Sequence, residues 1–260
     1  MKLSYSYTTR VTFCPSVGRH NILLRCLPAR EAFQHVCSET FDITGDFWSR
    51  EDVDGFGNRV MCGGTRERHS ELAYTSRGVV ETSTYCIPDT NPHPMYLLPS
   101  RMTETTREIL LLLPALKGDI LGDCMRIVHA VHQHLEYTPG VTAMDTTARE
   151  VCVMRKGVCQ DYAHLMIAMC RAAGMHARYV CGMMLGEGST HAWVEVHDGQ
   201  CWYAFDPTND TAVATGYIKL AHGRDVCDCA VNRGSFIGRA EEVMQISVVT
   251  ECLEEDLKGG

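Results

Sequence analysis

The residues best suited by type and spacing to covalent chemistry are Cys159, His191, 32 positions further on, and Asp206, 15 positions beyond that. A cysteine thiolate attacks a carbonyl carbon. An imidazole takes and returns the proton, and a carboxylate orients that imidazole and stabilises its charged form. Residue type alone does not single these three out. The chain has 14 Cys and 12 His, and a cysteine taken by itself is more often a small buried hydrophobe than a nucleophile. What distinguishes the three is the local structure that each segment encodes.

The segments His191–Val196 (HAWVEV) and Cys201–Asp206 (CWYAFD) both alternate in character and read as strands. The Asp198-Gly199 pair between them signals a hairpin. A symmetric turn pairs Val196 with Cys201 and Val194 with Tyr203. It sets His191 opposite Asp206 on one sheet face, with Cβ atoms about 4.5–5.5 Å apart. After Gly157, the apolar residues Tyr162, Leu165, Met166, Met169 and Ala173 mark one face of a helix that Gly174 stops. Cys159 then lies in the first turn, where free N–H groups, the helix dipole and a protonated His191 all favour a thiolate. The Cys159 N–H is also an expected donor to an oxyanion. Gln160 and Asp161 follow directly, and an acidic residue in a first turn suits the dipole. Trp193 shares a strand face with His191, so it either walls the acyl site against water or simply packs the sheet.

The blocks GVCQDYAHLMIAMCRAAGMHARYVCG, HAWVEV and FDPTND, in that order, resemble the core of the transglutaminase-like superfamily. The resemblance implies a papain-like fold with Cys159, His191 and Asp206 as nucleophile, base and orienter. LPAREAFQHV and DVDGFGNRV resemble the β-rich domain that precedes this core in many bacterial members, and HGRDVCDC with RGSFIGRAEEVMQISV resembles its C-terminal strands. His222, Arg224 and Asp225 in the GRD segment are implied to line the substrate cleft with Gln160 and Trp193. The implied reaction is acyl transfer through a thioester on amide bonds of a protein or peptide, with no cofactor. Water as acceptor makes a peptidase or amidase, favoured here by analogy with small bacterial members. An amine acceptor, typically a lysine side chain, makes a transglutaminase. Other relatives have lost the triad and serve as binding or scaffolding modules. The deglycosylating branch carries paired CxxC zinc ligands, which this sequence lacks.

The rest of the chain fits an α+β enzyme. Residues 1–88 hold short alternating segments such as Leu3–Val11 and Glu71–Thr75, broken by Pro28, Gly45 and Gly57-Asn58, and are expected to form a sandwich-like β domain. Pro88, Pro92, Pro94 and Pro99 give residues 86–100 a linker composition. Residues 89–260 are expected to form the catalytic domain: helices at Asp119–Leu135 and from Thr147, capped by Glu150, then an antiparallel sheet and a closing strand at Val243–Val249. A hydrophobic share of 45% and a charged share of 22% are those of a globular protein. The net charge of −8, without a basic stripe, argues against nucleic-acid binding. No apolar run reaches the ~18–20 residues that span a bilayer. No apolar signal region opens the chain, so the irregularly spaced cysteines suggest a reducing cytoplasm. Cys227 and Cys229 are too close for the usual zinc spacing, and His129, His132 and His134 lack further ligands, so no metal is expected. No P-loop, GxGxxG or HExxH motif is present.

Overall fold

The computed structural model describes residues 1–253. Strand β1 (Lys2–Leu24) organises the first half. Its inward residues Leu3, Tyr5, Tyr7, Val11 and Phe13 are buried while their neighbours face outward, the two-residue period of a strand covered on one side. β2 (Gln34–Ile43), β3 (Trp48–Val53), β4 (Arg59–Thr65) and β5 (His69–Thr82) complete the N-terminal set. The first half of β1 pairs with β5 and its second half with β4, so one strand joins both sets of partners in a single sheet.

Helices α1 (Ile120–His134), α2 (Ala148–Met154) and α3 (Cys159–Ala172) follow. The predicted cap on α2 is present: the Glu150 N–H donates to the Thr147 hydroxyl, and the Thr147 N–H donates to Glu150 Oε2 at 2.8 Å. The second sheet is antiparallel, in the order β8 (Cys201–Asp206), β7 (His191–His197), β6 (Ala177–Met184) and β9 (Tyr217–Gly223). α3 is buried against one face, over Tyr179, Cys181, Ala192 and Val194. The opposite face carries Val180, Trp193, Trp202 and Tyr217. The helix-then-antiparallel-sheet core and the preceding β region are the α+β arrangement expected.

Three local expectations are revised. The hairpin pairs Val196 with Tyr203 and Val194 with Phe205, a register two residues away from a symmetric turn. Asp198 causes this. Its Oδ1 accepts the N–H groups of Gln200 and Cys201, both at 2.8 Å, while Gly199 takes φ +109°, so the turn needs extra residues. A slip of two preserves which face each side chain occupies. The proline-rich segment is no free linker: Ile87–Pro88 pairs with β8, and Asp89 accepts the Trp202 indole N–H at 2.9 Å. The strands β10 (Asn232–Ile237) and β11 (Glu241–Cys252), grouped by sequence with the catalytic half, both pair with β1. Between β9 and β10 lies one short helical turn, α4 (Val226–Cys229).

Candidate active site

Cys159 is the first residue of α3, and Asp161 fixes that start. Its Oδ2 accepts the Val158 N–H at 2.8 Å and the Thr142 hydroxyl at 2.7 Å. Burial pushes the Asp161 carboxyl up, and these two donors only partly offset it. Gly157 is needed beside it, because a Cβ there would lie 2.7 Å from Asp161 Cβ and Oδ2. The half-buried Cys159 therefore sits at a rigidly tied helix start, with the unpaired N–H groups of the first turn around it.

His191 opens β7, and its Nε2–H donates to Asp206 Oδ2 at 2.6 Å. With the register carried one pair further, Asp206 stands beside Trp193 and meets His191 on the diagonal, which the side chains span. The bond fixes the ring tautomer and leaves Nδ1 for the thiol of Cys159, which lines the same cavity. Burial opposes a charge on His191. The hydrogen bonds and charges of Asp206 and Cys159 outweigh that cost and raise its pKa from 6.5 to about 10. Burial likewise opposes charge on Asp206, but His191, Asn209 and Tyr217 hold its carboxyl below the usual range.

Sequence reasoning missed Asn209 and Tyr217. The Asn209 amide donates to Asp206 Oδ2 at 2.7 Å and the Tyr217 hydroxyl at 2.9 Å, while the N–H groups of Thr208 and Asn209 occupy Oδ1. Asn209 lies within the FDPTND block, but nothing in the block says that its side chain turns back three residues. Tyr217 comes from the far edge of the sheet. The α1 histidines brace the same loop: His129 Nδ1 is 2.9 Å from Asp210 Oδ2, and His132 Nδ1 is 3.1 Å from the Thr208 carbonyl.

A cavity of about 250 Å³ opens onto Cys159 and His191, and Gln160 lines it, its amide reaching the Met144 carbonyl at 3.4 Å. Trp193, Arg224 and Asp225 do not line it. Trp193 is fully buried behind His191, ring centroids 6.3 Å apart, with its indole N–H on the Tyr85 hydroxyl, so it packs the sheet and backs the imidazole. Arg224 is exposed and forks onto Asp228, because the short α4 turn places that carboxylate four residues on. Asp225 is buried as the cap of α4, accepting the Cys227 N–H at 2.7 Å. His222 is held by paired bonds to Asn58, outside the cavity.

Two family models match the chain: the transglutaminase-like superfamily over residues 116–207, and the bacterial transglutaminase-like N-terminal region over residues 3–81. The chain belongs to the transglutaminase-like superfamily. Both matches fall where the fold places them, the first on the helices and on β6–β8, the second on β1–β5. An uncharacterized protein of Mycobacterium leprae is 29% identical over 222 residues, covering 75% of this chain and 79% of that protein. An uncharacterized protein of Mycobacterium tuberculosis is 33% identical over 177 residues, and the match spans 62% of this chain but only 56% of that relative. Among solved structures, a Cytophaga hutchinsonii protein provisionally described as a cysteine protease superposes with a TM-score of 0.80 at 23% identity, over 98% of this chain and 92% of its own. That similarity extends the shared fold across both halves of the chain. No helix among the described residues is long and apolar enough to cross a membrane.

Proposed function

We propose that the protein is a cysteine-dependent enzyme that cleaves amide bonds through a thioester on Cys159. The observation that carries this reading is the juxtaposition of Cys159, at a tied helix start, with an imidazole held at 2.6 Å by the buried Asp206, both Cys159 and His191 facing one cavity. His191 takes the Cys159 proton, and the thiolate attacks the amide carbonyl, forming a C–S bond. As the tetrahedral adduct collapses, the C–N bond breaks and His191 delivers its proton to the departing amine. Asp206 stabilises the imidazolium throughout. Water, activated by the now neutral His191, then attacks the thioester, releasing a carboxylic acid and restoring the thiol. We assign water as acceptor by analogy with small bacterial members of the superfamily. An amine attacking the same thioester would make a transamidase. The irregular spacing of the 14 cysteines supports a reducing compartment such as the cytoplasm.

The test is incubation with blocked peptides, with and without excess primary amine, read by mass spectrometry. New carboxyl termini formed with the wild type and not with Cys159→Ala support hydrolysis. Amide conjugates to the added amine would reassign the acceptor step. No covalent turnover with either acceptor would leave a binding module.

A further inference from the structure

The cavity at Cys159 is not built by the catalytic half alone. Tyr7 from β1 and Met244 and Ile246 from β11 form one wall, and Val226, Cys229 and Val231 form part of another. No Lys, Arg, Asp or Glu lines it among the described residues. A second cavity of about 440 Å³ adjoins it and shares Met144, Ala230, Asn232 and Met244 with it. Asp145, Arg233 and Glu242 line only this larger cavity. Met144 and Met244 stand at the shared boundary, 58% and 46% exposed. Such exposure is costly for two large apolar side chains unless something apolar covers them, and unbranched thioethers adapt to a range of shapes.

We propose that this continuous groove holds the acyl side of an extended polypeptide substrate. An apolar side chain adjoining the scissile carbonyl enters the smaller cavity, and the preceding residues run over β11 into the larger one. The inference rests on the acyl-transfer reading above, and it gives the β1–β11 layer the task of choosing the substrate. An acidic or basic side chain in the smaller cavity would lose water and find no charged partner apart from His191 and Cys159, which already pair with each other and with Asp206, and that is unfavourable. An apolar one gains by leaving water. The groove's position against the nucleophile fixes the occupant as substrate rather than a separate partner.

The experiment measures inactivation by acetyl-Ala-Ala-X chloromethyl ketones, with X as Leu, Phe, Gln, Glu or Lys, and maps the adduct by mass spectrometry. In these probes the thiolate displaces chloride, so no acyl acceptor is involved. Iodoacetamide at pH 6, too small to need the groove, serves as the reference reagent. Leu and Phe are expected to label Cys159 at least about tenfold faster than Glu or Lys, a modest discrimination for an apolar pocket. Met244→Glu and Met144→Glu, both at exposed positions on the shared boundary, should each cut that ratio at least about threefold. Rates independent of X, or a ratio unmoved by both variants, while iodoacetamide still selects Cys159, would overturn the groove assignment and leave the acyl-transfer reading standing. Failure of iodoacetamide to select Cys159 in the wild type would overturn both.

Discussion

Asp206 concentrates more interactions than any other candidate residue, and each has a different consequence. All five donors to its buried carboxylate favour the charged form, and only one of them is the imidazole. Asp206→Asn keeps the shape but takes away the charge that supports the imidazolium. It should lower kcat/KM by a factor on the order of 10³–10⁴. Tyr217→Phe removes one donor and leaves four, so the loss in kcat/KM should be only about tenfold, ~1.4 kcal/mol. Equal losses in the two variants would mean that the hydroxyl has a direct chemical role. The His191 pKa also has a sign in stability. A folded value of about 10, above the ordinary 6.5, stabilises the fold fully below pH 6.5, and this is lost as pH rises through 10. Urea unfolding of the wild type should therefore weaken between pH 7 and 10, and His191→Gln should flatten that decline.

The elements place these residues with small tolerances. At the start of α3, Gly157→Ala would push a methyl into Asp161 and shift the carboxylate that holds the Val158 N–H. The expected cost is about 1–3 kcal/mol, read by denaturation, together with slower alkylation of Cys159. The bonding of His191 to Asp206 and the helix that carries Cys159 were legible because each depends on short-range pattern: alternation for β7 and β8, a four-residue stripe for α3. The exact hairpin register was not, since it hinges on Asp198 bonding two N–H groups rather than on the strand residues themselves. Arg224 and Asp225 were misplaced for a similar reason. A resemblance carries a segment onto the cleft, but the four-residue α4 turn decides which way its side chains leave the backbone. Asn209 and Tyr217 left no local trace, because their shared partner is brought to them by the sheet.

Across the whole molecule, the two halves are joined by polar contacts along β9. Lys219 is fully buried, with its ammonium on Glu195 at 2.9 Å and on Glu31 at 2.9 Å, the latter from the segment between β1 and β2. Gln34 takes both backbone groups of Lys219, and Arg178 also pairs with Glu195 while stacking 4.2 Å over Trp202. Tyr85 donates to the same carboxylate and receives the Trp193 indole N–H, so the network ends directly behind His191. Lys219→Met should destabilise the protein by about 3–5 kcal/mol, because it strands Glu195 with less compensation in a dry interior. Calorimetry should show the midpoint falling as one transition for both halves. Two transitions would mean that the β1–β11 layer melts apart from the catalytic sheet. None of this ionic junction was foreseen, since Glu31, Arg178, Glu195 and Lys219 are scattered through the chain and each alone reads as surface.

The pairing of β1 with β11 also imposes an order of events on the ribosome. β1 is made first, yet its partner along residues 3–14 is a strand more than 200 residues later. Until that strand emerges, the long edge of β1 stays open and the wall bearing Met244 and Ile246 does not exist. A nascent chain can already carry Cys159, His191 and Asp206 while still lacking the surface proposed to hold a substrate. Late closure of this kind is slow, because distant segments must meet before the contact rewards them. It would also delay the onset of any activity that needs this wall until β11 has been made.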